Sequence, residues 1–128
     1  MTVYLDVDDL VDIATTVLKA PPMVRDYGLL ASAAARPATV VFGHDAYPDI
    51  FEKAASLMHS LMSNHALVDG NKRLAWSATV VFLALNNFPV PRIDVDAAEK
   101  FVFSIAKGDL SEVGEIARQL RNVYVMSS

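Results

Sequence analysis

The sequence predicts an all-α protein, a compact bundle of about six helices, and three features carry that expectation. Apolar residues recur at steps of three and four along most of the chain. Aspartates and serines able to cap helices stand at the heads of those segments, and prolines or glycines close several of them. One stretch, Leu74 to Leu85, is apolar on nearly every side, as expected of a helix at the centre of a bundle.

After an extended start from Val3 to Leu5, Asp6 caps a first helix over Val7 to Leu18, with Leu10, Ile13, Ala14 and Val17 on one face. Pro21-Pro22 ends it. A second helix runs from Asp26 to Ala35 and stops at Arg36-Pro37, because the residue before a proline is pushed out of helical geometry. Val40, Val41 and Phe42 favour a strand and precede Gly43, so the segment Val40 to Tyr47 reads equally as a flap or as a plain connector.

Pro48 suits the first position of a third helix that continues to Asn64. Its stripe of Phe51, Ala55, Met58 and Met62 extends to His65 by the same spacing. The fourth helix starts near Asp69 and runs to Leu85. Asp94 caps a fifth that ends at Lys107-Gly108, and Ser111 caps a sixth to Val123. No repeat, low-complexity tract or second-domain linker interrupts the chain, so residues 1–128 are expected to form one domain.

Composition narrows the function. Of 128 residues 53% are hydrophobic and 20% charged, enough apolar material for a folded core. A net charge of -4 disfavours direct nucleic-acid binding, which relies on a basic surface. With no cysteine there is no disulfide, thiolate ligand or cysteine nucleophile. The acidic run from Asp6 to Asp12 is unlike a signal peptide, and no apolar stretch reaches membrane-spanning length. The expectation is a soluble cytoplasmic protein with no membrane partner.

The chemistry concentrates in His65-Ala66-Leu67-Val68-Asp69-Gly70-Asn71-Lys72-Arg73, between the third and fourth helices. A helix N-terminus carries unpaired N–H groups and partial positive charge, so adjacent cations cost about 0.3 to 1 kcal/mol each. Lys72 and Arg73 nevertheless stand in that first turn. They are either a solvated surface pair or, with Asn71 and Gly70, the cradle of an anion such as a phosphate. Asp69 is either the N-cap or a ligand of Mg²⁺. His65 is either a satisfied core histidine or a general base for an attacking hydroxyl. His44 and His59 have no such company and read as structural or solvent-facing.

The stretch His65 to Arg73 resembles the signature of the Fic/Doc superfamily, roughly His-x-Phe-x-Asp/Glu-Gly/Ala-Asn-x-Arg. Val24 to Leu30, Ala35-Arg36-Pro37 and Tyr47 to Ala55 also look like the Doc, or death-on-curing, branch. The resemblance implies a helical fold with the motif loop between two central helices. It implies His65 as catalytic base, Asp69 on Mg²⁺, and Gly70, Asn71, Lys72 and Arg73 around the phosphates of ATP.

Lysine at position 72 is the Doc-like choice. It implies transfer of the γ-phosphate, where relatives with glycine there transfer AMP. By the same resemblance the acceptor is a hydroxyl of elongation factor Tu, the outcome is arrested translation, and the partner is a Phd-type antitoxin. AMP transfer and a catalytically inactive binding module are the alternatives. Leu67 departs from the usual motif aromatic, a packing swap expected to be tolerated. Ser111 and Glu115 match the spacing of an internal inhibitory helix, but Ile116 breaks that pattern.

Overall fold

The computed structural model describes residues 1–126, and among them the chain forms six α-helices: α1 (Val7–Leu18), α2 (Tyr27–Ala35), α3 (Ile50–Ser63), α4 (Asn71–Leu85), α5 (Val95–Ala106) and α6 (Val113–Met126). A 3₁₀ turn at Arg36–Ala38 and a hairpin of β1 (Val40–Val41) with β2 (His44–Asp45) lie between α2 and α3. The all-α expectation holds. Residues 127 and 128, Ser127 and Ser128, lie outside the described part.

Four of the helices are opened by aspartate. Asp6 accepts from the Asp9 N–H while the Asp9 carboxylate accepts from the Asp6 N–H, a reciprocal capping box. Asp26, Asp49 and Asp94 each accept from amides of the first turn of α2, α3 and α5. Asp49 displaces Pro48 from the predicted helix start: its Oδ1 takes the Phe51 N–H at 2.7 Å, leaving Ile50 as the first helical residue. Ser111 does not cap α6, which begins at Val113 and continues past Val123 to Met126: the residue at its cap position is Glu112, whose carbonyl accepts the Ile116 N–H at 3.0 Å.

The centre of the bundle is α3 rather than α4. It buries ten of its fourteen residues, against six of fifteen in α4, and packs on α4, α6, α2 and the 3₁₀ turn. The core joins Leu10, Leu30, Leu57, Met58, Leu61, Leu74, Phe82, Leu83, Ile116 and Leu120, all essentially inaccessible. Burying a side chain of this size contributes about 1.5 to 3 kcal/mol. The apolar outer face of α4, with Trp76, Val80 and Val81, is only half covered because α5 touches α4 sparsely.

Val3 is held to the end of α4, where Asn86 Oδ1 accepts its N–H at 2.8 Å and Asn86 Nδ2 donates to its carbonyl at 2.9 Å. No helix among the described residues is long and apolar enough to cross a membrane.

Candidate active site

The loop from His65 to Gly70 joins the two most extensively packed helices, and its path is set by backbone contacts. Asn64 ends α3 with its N–H on the Ser60 carbonyl, and His65 then takes a left-handed φ of 50°. That turn removes His65 from the helical period. Its side chain is exposed and does not extend the buried stripe, contrary to the spacing argument. Ala66 and Leu67 instead fill the core behind it, at 1% and 0% exposure.

The segment before α2 pins the loop from outside. Arg25 and Asp26 donate their N–H groups to the Ala66 carbonyl at 2.7 and 3.2 Å, Val68 donates to the Met23 carbonyl at 2.9 Å, and Val24 bridges Leu67 in antiparallel fashion. From inside, Asn71 grips Leu67. Its Oδ1 accepts the Leu67 N–H at 3.0 Å and its Nδ2 donates to the Leu67 carbonyl at 2.9 Å. The loop therefore presents a fixed backbone between His65 and the head of α4.

The head of α4 differs from the other helix starts. Gly70 occupies the cap position with a φ of 91° and supplies no side chain, so no carboxylate covers the first-turn amides. Asp69 is not the cap: its Oδ1 accepts the Gly70 N–H at 2.9 Å. Its Oδ2 lies 3.9 Å from Arg73 Nη2, an exposed pair worth little by itself. A Cβ on residue 70 would stand 2.6 Å from Leu18 Cδ2, so glycine suits the left-handed turn and any side chain there would push the end of Leu18 aside.

Lys72 and Arg73 project from the first turn, both exposed, at the rim of a cleft between α4 and α5. The cleft has a volume of about 750 Å³ and is floored by Trp76, Ile93 and Phe103. Oriented N–H groups and two cations thus converge on one end of the loop, with an exposed imidazole at the other.

The sequence model of the Fic/DOC family matches residues 4–83, which take in α1, α2, the hairpin, α3, the loop and nearly all of α4. The chain belongs to the Fic/DOC family. It is 46% identical over 121 residues to the curated protein Toxin Doc of Mycolicibacterium smegmatis, an alignment covering 94% of this chain and 92% of that one.

In this Fic/DOC chain the residues singled out by sequence divide into two groups. His65, Asp69, Lys72 and Arg73 face solvent along one exposed loop and helix head, while Gly70 and Asn71 build the backbone that carries them. Among the described residues no group of three or more His, Asp or Glu side chains forms a ready-made metal cage. Glu115, of the inhibitory-helix spacing, is engaged by Arg118 and Gln119 on its own helix.

Two polar features escaped the sequence reading. Arg36 is a hub beneath the hairpin: Nε donates to the Tyr47 hydroxyl at 3.0 Å, and Nη1 donates to Ser60 Oγ at 3.0 Å and to His59 Nδ1 at 2.9 Å. A guanidinium has no acceptor, so the His59 proton resides on Nε2. Burial first, and the Arg36 charge second, push His59 below the ordinary histidine pKa. Lys53, which opens the continuous buried run of residues 53–58 in α3, is itself buried and paired with Asp45. Its neighbours in sequence, Glu52 and Ala54, carry no signal of that.

Proposed function

We propose that the chain is the toxin of a toxin–antitoxin pair and acts as an ATP-dependent protein kinase. In this reading it moves the γ-phosphate of ATP to a hydroxyl of elongation factor Tu in the cytoplasm, arrests translation, and is neutralised by a Phd-type antitoxin. The observation that carries the reading is the uncapped head of α4, with Lys72 and Arg73 exposed in its first turn and His65 exposed across the same fixed loop. The name of the relative from Mycolicibacterium smegmatis, Toxin Doc, supports the toxin assignment.

The chemistry asked of these residues is modest, because phosphoryl transfer depends mainly on positioning and charge neutralisation. First-turn N–H groups of α4 with Lys72 and Arg73 hold the phosphate oxygens. The acceptor hydroxyl oxygen attacks the γ-phosphorus, the bond to the ADP oxygen breaks, and His65 takes the hydroxyl proton. Asp69, exposed and carrying only the Gly70 N–H and a distant Arg73, fits a Mg²⁺ ion held by one protein carboxylate. Bound there, the ion would neutralise phosphate charge. Lys72 favours γ-phosphate over AMP transfer by its place in the Doc-like motif.

Incubation with Mg²⁺, elongation factor Tu and ATP labelled at either the γ- or the α-phosphate tests the reading. Label from γ-ATP alone is expected. Label from α-ATP would replace kinase chemistry with AMP transfer, and no label from either would leave a binding module.

A further inference from the structure

His65 stands where two influences meet. The apolar stripe of α3, Phe51, Ala55, Met58 and Met62, reaches it at the helical spacing, so one more turn of right-handed helix would carry its side chain towards the core. It takes instead a φ of 50°, a left-handed conformation that residues with a Cβ adopt only where their surroundings hold it, and it is exposed.

The hold comes from the head of α2, on both sides of His65. On the α3 side, Asn64 Nδ2 donates to the carbonyl of Leu29, in the first turn of α2, at 3.3 Å. On the loop side, the Ala66 carbonyl accepts the Arg25 N–H at 2.7 Å and the Asp26 N–H at 3.2 Å. The bond from Val68 to Met23 and the grip of Asn71 on Leu67 act further along the loop and leave residues 64 to 66 to α2.

Asp26 is the joint of this arrangement. Its Oδ1 accepts the Gly28 and Leu29 N–H groups at 2.8 and 3.3 Å, which starts α2 at the point from which its own N–H and that of Arg25 reach Ala66. The same cap fixes the turn that offers the Leu29 carbonyl to Asn64. One carboxylate thus governs all three bonds that straddle His65.

Resting on the reading of His65 as general base, we propose that Asp26 is a positioning residue. By fixing the head of α2 it holds His65 in the left-handed turn that keeps the imidazole out of the α3 stripe and within reach of an acceptor hydroxyl. Asn64 is its counterpart on α3. Neither acts on nucleotide or hydroxyl directly.

The test compares the full wild-type chain with Asp26→Ala, Asp26→Asn and Asn64→Ala. The control is Asp6→Ala, which removes a helix cap at the end of α1 opposite Leu18. It measures kcat and KM for ATP in transfer to elongation factor Tu, together with the coupling between the amide and α protons of His65, which reads φ without any reaction. In Asp26→Ala that coupling is expected to move towards the helical value. There kcat falls about tenfold, inside the roughly 10² that misplacing a group by about 1 Å can cost, while KM for ATP stays near wild type. Asn64→Ala shifts both in the same direction. Asp26→Asn, which keeps a capping oxygen, restores both, and Asp6→Ala changes neither.

An unchanged His65 coupling in folded Asp26→Ala and Asn64→Ala overturns the proposal, and so does a shifted coupling with kcat unchanged. A fall in kcat that Asp6→Ala matches also overturns it, because the effect is then one of stability alone. If Asp26→Ala does not fold, Asn64→Ala carries the decision, since it leaves the cap of α2 in place. Absence of transfer by the wild-type chain overturns the kinase reading, and the coupling then decides by itself whether the head of α2 sets the turn at His65.

Discussion

Asn71 closes both of its amide atoms on one residue, Leu67: the Leu67 N–H donates to Oδ1 at 3.0 Å and Nδ2 donates to the Leu67 carbonyl at 2.9 Å. The motif asparagine thus holds the loop that His65 and Asp69 stand on, and it brings the head of α4 to a fixed distance from that loop. Asn71→Ala leaves two backbone groups without their partners, at a cost of about 1 to 3 kcal/mol. Urea denaturation is expected to report that loss. Asn71→Asp, which keeps the acceptor and removes the donor, should fall between the two.

Gly70→Ala is expected to destabilise the chain by about 1 to 3 kcal/mol, because a Cβ there meets Leu18 as well as an unfavourable φ. Placing the same change in a Leu18→Ala background separates the causes. The steric part disappears in the double-mutant cycle and the backbone part remains. Full additivity would mean that the α1 contact plays no part.

Leu67 is fully buried where the family signature carries an aromatic. Leu67→Ala should cost about 2 to 5 kcal/mol by opening a cavity under the loop. Leu67→Phe should cost about 1 to 3 kcal/mol by overpacking, since the surroundings fit leucine. Thermal unfolding of the pair checks both. A stabilised Leu67→Phe chain would show that the pocket keeps room for the aromatic ring.

His59 gives the fold a pH dependence with a definite sign. Its folded-state pKa lies below the ordinary 6.5, so the unfolded chain takes up the proton first as pH falls. The contribution is complete above 6.5, declines as pH drops through 6.5, and levels off once the folded-state value is passed. Urea midpoints on either side of 6.5 should differ more for the wild type than for His59→Gln. Equal differences would remove His59 as the cause.

The helices were legible because their signals are local. Asp6 and Asp94 cap where the chain says a cap should be, Asp26 caps the helix it was expected to begin, and the stripe on α3 is real as far as Met62. His65 shows the limit: periodicity cannot announce a single left-handed residue, and one such residue moved the imidazole from core to solvent. Pro48 lost its place because Asp49 next to it is the better cap. α4 was expected at the centre because its own residues are apolar, but centrality belongs to the helix with most neighbours, and those are set by contacts far apart in sequence.

The candidate site was legible as a list of residues, because an unlike segment such as His65 to Arg73 stands out against apolar flanks. Its division of labour was not. Nothing in the spacing tells that Asn71 bonds the backbone four residues before it, or that Val24 and Arg25 reach across to Leu67 and Ala66. The Arg36 and Lys53 anchors under the hairpin join positions eight to twenty-four residues apart and leave no periodic trace.

The most direct test of the account is the rate of γ-phosphate transfer to elongation factor Tu by wild type and His65→Ala, with ATP binding measured on both. His65 is exposed and is not one of the buried core residues, so the variant should fold and bind ATP as before. Transfer is expected to fall by about 10² to 10⁴, the contribution of a positioned general base. Transfer at the wild-type rate from a folded His65→Ala chain would contradict the account.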